Sequence, residues 1–262
     1  MRRQVKAAEV RRELLPEQSP ELLRELHLLT RGGDLNADAL RKLKQVNHLV
    51  GLLRPALGDV FRRFGRPLVV DAGSGNAYLG FVLYELFFKG QEKGELVSIE
   101  SRTELTARSE ERARRLGFGR MRFLTAPLVS APWPDRFHLL TALHACDTAT
   151  DDALAAAIRR GVDHVAVVPC CQAETPAALA EHPMHRREFG SHLTNVIRAL
   201  VLEAHGYSVT VTELTGWEHS MQNELILGRK VRGEWREARR RLEALLAETG
   251  VRPALVRVLE AR

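Results

Sequence analysis

The sequence predicts an α/β protein with a doubly wound, mainly parallel seven-stranded sheet and a helical N-terminal extension. From residue 68 onward, short apolar runs alternate with helical segments. Such alternation is typical of a parallel sheet covered by helices on both faces. Residues 1–66 contain no strand-like run, but Leu40, Leu43, Val46, Val50 and Leu53 recur at three- and four-residue steps. This spacing predicts one apolar helix face.

The individual elements follow from the same patterns. The predicted strands are, in chain order, LVVDAG, ELVSIES, MRFLTAP, FHLLTALHAC, DHVAVVPCC, SVTVTELT and NELILGRKV. The predicted helices include AYLGFVLYELFF, TELTARSEERARRLG, DDALAAAIRRG, SHLTNVIRALVLEAHGY and the charged GEWREARRRLEALLAETG. Ser101 and Glu104 have capping-box spacing at the start of the second helix. We therefore predict an extension at 1–66, a ligand-binding domain at 67–232, and a C-terminal helix and tail at 233–262.

Composition limits the class of protein. The chain has 262 residues, of which 45% are hydrophobic and 27% charged, as in globular proteins. Its 39 Lys and Arg against 33 Asp and Glu give a net charge of +6, which favours a polyanionic partner such as RNA. No stretch has the apolar length of a membrane span, and the N-terminus has no secretory h-region. Three cysteines, two of them adjacent, cannot form a disulfide framework, so we expect a cytoplasmic protein.

A glycine-containing turn follows the first strand. In VVDAGSGNAYLG, Asp71, Gly73 and Gly75 lie where the strand should give way to a helix. Glycines at this place let the backbone approach a nucleotide-like ligand. A nicotinamide fingerprint would need glycine where Tyr78 stands, which disfavours that cofactor. The alternative is structural: Asp71 caps the helix and the glycines only make a tight turn.

The form D-x-G-x-G, followed by the small Ala77, resembles motif I of class I S-adenosylmethionine (SAM) methyltransferases with their Rossmann-like sheet. The resemblance implies that SAM is the cofactor and that the acid ending the second strand accepts from its ribose hydroxyls. The residues expected to bind it are Asp71, Gly73, Gly75, Asn76, Ala77 and Glu100. TAPL after the third strand offers no acid for the adenine amino group, so backbone groups are expected to contact adenine.

The end of the fourth strand reads LHACDTATDD and places His144, Cys146 and Asp147 together. In a doubly wound sheet, ligands gather at the carboxyl ends of the strands near the switch point. H-A-C-D-T-A-T-D-D-A-L followed by P-C-C is similar to the signature of a methyltransferase subfamily. That subfamily includes the eukaryotic tRNA acceptor-stem 2′-O-methyltransferase and the glutathione-S-transferase C-terminal-domain-containing protein. We expect these three residues to be catalytic, taking a proton from the acceptor or orienting it.

Two other interpretations of this strand end compete. His144, Cys146 and either Cys170 or Cys171 are permissible zinc ligands, but adjacent cysteines on a strand point to opposite sides. The resemblance does not imply a metal, and we predict none. The second interpretation is structural: Asp147 or Thr148 caps the next helix, Asp151 and Asp152 complement its dipole, and the cysteines are small core residues. For Thr150, Asp151 and Asp152 the structural role is favoured.

The substrate side is less sharply defined. His185, Arg186 and Arg187 precede a predicted helix and could hold phosphate, or they could belong to a solvated loop. Trp217 could stack on a base or pack internally. We also place Cys170 and Cys171 on this side.

The function expected from these patterns is SAM-dependent methylation of an acceptor at the carboxyl ends of the fourth and fifth strands. RNA is the favoured acceptor, tRNA or rRNA, possibly at the ribose 2′-oxygen. The alternatives are a small-molecule or protein methyltransferase and a non-catalytic module that binds SAM or RNA.

Overall fold

The computed structural model describes residues 4–5, 15, 18–29, 35–143, 145, 148–169, 182–214 and 224–261. The strands of the main sheet are β1 (Leu68–Ala72), β2 (Glu95–Glu100), β3 (Met121–Thr125), β4 (Leu139–Leu143), β5 (His164–Val168), β6 (Tyr207–Glu213) and β7 (Glu224–Lys230). The helices are α1 (Pro20–Glu25), α2 (Ala37–Arg63), α3 (Tyr78–Leu83), α4 (Thr103–Arg115), α5 (Ala149–Arg159), α6 (Pro183–Ala204), α7 (Arg236–Thr249) and α8 (Ala254–Glu260).

The sheet has the order β3-β2-β1-β4-β5-β7-β6 and confirms the predicted fold class. β7 pairs antiparallel with both β5 and β6, whereas the other neighbouring strands pair parallel. The order reverses beside β1, between β2 and β4, which makes this the switch point where doubly wound sheets bind ligands.

The central strands are apolar because helices cover both of their faces. Every residue of β5 is buried, as are all of β1 except its first residue. Within this apolar sheet, Asp71 lies in register with Ser98 on β2 and Thr141 on β4. Three polar residues therefore meet side by side in the centre of the sheet, close to its carboxyl edge.

The N-terminal extension packs on the face that also carries α3 and α4. The predicted helix forms as α2, and Leu43, Val50 and Leu53 are buried as expected. Ser19 caps α1 and hydrogen-bonds to Glu85, which lies in the π-helical turn that continues α3. The extension is thus joined to the domain by polar contacts as well as by apolar packing.

Two details differ from the predicted element pattern. The extension contains a pair of two-residue antiparallel strands, Gln4–Val5 and Leu35–Asn36. The predicted C-terminal tail contains a further helix, α8, which packs against α5 with Leu255 fully buried. In the part of the chain that the structure describes, every helix is too short or too polar to cross a membrane.

Candidate active site

The turn after β1 has the backbone conformation that its glycines permit. Gly73 and Gly75 have φ values of +64° and +56°, in the left-handed region. Ala77, with φ 54°, shares this conformation just before α3, and its N–H donates to the Ser74 carbonyl at 2.7 Å. A left-handed alanine costs about 1–2 kcal/mol. The surrounding contacts therefore hold this turn in a shape that is unfavourable in isolation.

The turn lies directly against the end of β4. A Cβ placed on Gly73 would lie 3.1 Å from the Cβ of Ala145. The Ala145 carbonyl accepts a hydrogen bond of 2.8 Å from the Thr150 hydroxyl in the first turn of α5. The glycine turn after β1 is therefore close to the end of β4 at Ala145.

Asp71 is buried beneath this turn. Its carboxylate accepts from the Thr141 hydroxyl at 2.9 Å and from the N–H of Gly80 in the first turn of α3. The N-cap residue of α3 is Ala77, and no side-chain capping bond is present there. Burial, opposed by these hydrogen bonds and assisted by the charge of Glu100, raises the pKa of Asp71 to about 7. A carboxyl group with such a pKa changes charge readily near neutral pH.

Glu100 ends β2 and is fixed by donors from both sides. One carboxylate oxygen accepts from the Gly75 N–H at 2.8 Å. The other accepts from the Arg102 N–H at 3.1 Å and the Arg102 Nε at 2.9 Å, and more weakly from the Ser101 hydroxyl at 3.3 Å. Burial raises the pKa of Glu100, but the hydrogen bonds from Arg102 and Gly75 outweigh it, so the pKa lies below its ordinary value. Glu100 is therefore an anion.

The capping box predicted at Ser101 and Glu104 is wrong. α4 begins at Thr103 after Arg102, and no side chain caps it. The Ser101 hydroxyl donates instead to the neighbouring Glu100 carboxylate. Ser101 and Glu104 have the spacing of a capping box, but the Glu100 carboxylate competes for the Ser101 hydroxyl.

Two cavities adjoin the glycine turn. The first, here called the Glu100 cavity, has a volume of about 480 Å³, and its lining includes Gly73, Glu100, Ala126, Pro127, Leu128 and Ala145. The second, here called the Asp71 cavity, has a volume of about 240 Å³, and its lining includes Gln45, Val46, Leu49, Asp71, Ser74 and Leu143. The segments 71–74 and 143–145 contribute to both, so the two cavities flank the contact between Gly73 and Ala145. The extension forms part of the second one.

The predicted site residues are thus only partly placed. The six cofactor residues lie together on this turn and at the end of β2. Asn76 is exposed, and its carbonyl accepts from Arg112 at 3.5 Å. Six other predicted site residues lie outside the described residues, namely His144, Cys146, Asp147, Cys170, Cys171 and Trp217. The prediction that His185, Arg186 and Arg187 precede the helix is wrong, because α6 begins at Pro183 and their backbones belong to its first turns. The residues of the alternative zinc site, which are His144, Cys146 and either Cys170 or Cys171, also lie outside the described residues.

Sequence reasoning missed the partner of Asp151. This fully buried residue forms a two-pronged ion pair with Arg198 on α6, with Nε–Oδ1 and Nη2–Oδ2 distances of 2.8 Å each. Arg198 also donates to the Asn195 side chain at 2.9 Å. Asp151 therefore has a structural role, as the ion-pair partner of Arg198, whereas the sequence predicted only that it complements a helix dipole. Because 47 residues separate the partners, no local pattern could have revealed the pair.

Comparisons with known proteins agree with this architecture. Residues 41–178 match the model of a family described as a methyltransferase domain. The chain is 26% identical to the glutathione S-transferase C-terminal domain-containing proteins of Homo sapiens and Bos taurus, over 75% of this chain and 34% of each relative. It thus spans about a third of the length of these relatives.

The structural comparison gives the same fold. A geranyl diphosphate methyltransferase in complex with SAM has a TM-score of 0.53 at 13% identity, covering 84% of this chain and 94% of that chain. A geranyl diphosphate methyltransferase in complex with geranyl diphosphate and sinefungin gives a TM-score of 0.50 at 12% identity, covering 69% of this chain and 77% of that chain. At these identities the likeness establishes the architecture alone.

Proposed function

The chain belongs to the methyltransferase-domain family, and from this membership we propose that it transfers a methyl group from SAM to RNA. The single observation that carries the cofactor assignment is that the Gly73 turn and the ionised Glu100 line the same cavity. The assignment of RNA as the acceptor has separate support from charge and motif.

The residues at this turn fit SAM. A side chain on Gly73 would close the gap to Ala145, so glycine keeps the wall of the Glu100 cavity open. Glu100 is ionised and bonded to the Gly75 backbone, which leaves a fixed acceptor for the two ribose hydroxyls. The adjoining Asp71 cavity offers a carboxyl group to the cationic methionine end.

SAM supplies a methyl group bound to a sulfonium, which a nucleophile can displace directly. The protein's part is to align the acceptor with that methyl group, and alignment is a large source of rate. Leu143 and Ala145 bring the HACD stretch to the glycine turn, so we assign His144, Cys146 and Asp147 to the acceptor side. One of them would hold or remove the proton of the acceptor.

SAM affinity is expected to increase with pH around neutrality. Below pH 7 the Asp71 carboxyl is mostly protonated and neutral, and above it the carboxylate attracts a cation. If only the ionised form binds, affinity should increase about fivefold between pH 6 and pH 7, with proton release on binding. Calorimetry in buffers of different ionisation enthalpy measures both quantities. Proton uptake, or an Asp71→Asn variant with the same pH profile as the wild type, would contradict this role.

RNA as the acceptor is supported by charge and by motif. The chain carries a net charge of +6, and phosphate contacts with Lys and Arg dominate affinity for nucleic acids. The signature at the end of β4 resembles that of a tRNA methyltransferase. α6, which contains Arg186 and Arg187, follows the carboxyl end of β5 at the edge where the glycine turn lies.

Labelled-methyl transfer tests the acceptor directly. RNA from cells that lack the protein should accept the methyl group from labelled SAM, and nuclease mapping should locate it at a defined nucleotide. RNA binding should also weaken steeply with salt, because neutralised phosphates release counterions. Label that enters only small molecules or protein, or salt-independent RNA binding, would contradict an RNA acceptor.

A small-molecule acceptor is the second candidate, and one observation favours it. The walls of the Asp71 cavity are largely apolar, with Val46 and Leu49 from α2 facing Leu143 from β4. Such a lining suits an apolar or planar group. Screening of labelled transfer into a cell metabolite extract would distinguish this candidate from RNA.

A further inference from the structure

The two adjacent acids that begin α5 have different surroundings. Asp151 is fully buried and paired with Arg198. Asp152 is half-buried and lines the Glu100 cavity. Within the part of the chain that the structure describes, its carboxylate has no hydrogen-bond or ion-pair partner. Burial, and then the neighbouring charge of Asp151, raise the pKa of Asp152, as is usual for a carboxylate that lacks a donor.

Two backbone carbonyls that belong to lining residues of this cavity, those of Pro127 and Leu128, already accept a hydrogen bond each. The Ala126 N–H donates to the Glu100 carbonyl, and Pro127 has no N–H. The Pro127 carbonyl accepts from the Ser130 N–H at 3.1 Å, and the Leu128 carbonyl accepts from the Trp133 indole at 3.0 Å. The expectation that backbone groups after the third strand contact adenine stays a prediction.

Among the described side chains that line the Glu100 cavity, one carboxylate accepts no hydrogen bond. Glu100 already accepts from Gly75, Ser101 and Arg102. Asp152 is the other acid among the lining residues that the structure describes. An adenine amino group carries two N–H donors, and a half-buried carboxylate without a partner is the complementary group.

We propose that Asp152 accepts a hydrogen bond from the exocyclic amino group of the cofactor's adenine and so selects adenine over a 6-oxopurine. The assignment rests on the proposed function, since it requires SAM in the Glu100 cavity. A 6-oxopurine has an oxygen where adenine has its amino group, and that oxygen repels the carboxylate. Asp152 thus takes the place of the acid that TAPL lacks after β3.

Binding calorimetry with S-adenosylhomocysteine and its inosine counterpart tests this assignment without a methyl acceptor. The wild type should prefer the adenine compound. Asp152→Ala should lower affinity for that compound about 10- to 100-fold, the range for a hydrogen bond to a charged group. The preference between the two compounds should then largely disappear. Asp152→Asn can donate its amide to the 6-oxo group, so it should shift the preference toward the inosine compound.

Two further measurements separate recognition from structure. Asp135→Asn changes an exposed acid outside the cavity and should leave both affinities unchanged. Thermal unfolding of each variant reports stability independently of the ligand. A preference that is equal in wild type, Asp152→Ala and Asp152→Asn would overturn the assignment while leaving the cofactor proposal intact. A wild type that binds neither compound would refute the cofactor proposal and this assignment together.

Discussion

Gly73→Ala is expected to lower SAM affinity about 10- to 100-fold, the equivalent of an overpacking cost of 1–3 kcal/mol. Two effects combine at this position. Alanine at φ +64° is strained, and its methyl group would lie 3.1 Å from the Ala145 Cβ. Either Ala145 or the turn must move, and both border the Glu100 cavity. Calorimetry with SAM measures the loss.

Gly117→Ala is the matched control for the backbone effect. Gly117 has φ +69°, but a Cβ there would meet no atom within 4 Å. The control should therefore lose about 1 kcal/mol of stability with unchanged SAM affinity. If Gly73→Ala bound SAM as tightly as the control, the turn would not be the cofactor's cradle.

Arg198→Met is expected to lower the free energy of unfolding by about 3–5 kcal/mol, because it leaves a buried carboxylate without its counter-ion. Arg198 is 1% exposed and Asp151 is 0% exposed, so water cannot replace the lost hydrogen bonds. Denaturant unfolding monitored by circular dichroism measures the change.

The double variant Asp151→Leu with Arg198→Met tests whether this loss of stability comes from the unpaired buried carboxylate. It removes both charges together and should recover much of the stability, as replaced buried ion pairs often do. Arg239→Ala, which breaks the exposed pair with Glu234, should cost less than about 1 kcal/mol. A single Arg198→Met variant that is as stable as Arg239→Ala would show that the buried pair contributes little.

The fold was predictable from the sequence because its signals are local and repeated. Apolar runs separated by helical segments predict the strands and the helices that cover them, and the glycines of D-x-G-x-G predict a tight turn after the first strand. The position of Glu100 was predictable in the same way, since it ends the second strand. The structure adds the contacts that hold it, from Gly75 and Arg102.

The remaining features depend on contacts between distant segments. Nothing in the dipeptide Asp151–Asp152 tells which acid is buried against Arg198 and which faces a cavity. The direction of each side chain follows from how α5 packs between β4 and α6. Likewise, only the folded chain shows that Gln45 of α2 borders the Asp71 cavity.

The position of the nucleoside tests the central claim most directly. A crystal structure of the protein with S-adenosylhomocysteine should show the ribose hydroxyls on Glu100 and the adenine in the Glu100 cavity. The homocysteine end should pass the Gly73 turn toward Asp71. A ligand bound elsewhere, or a Glu100 carboxylate that makes no contact with the ribose, would contradict this account.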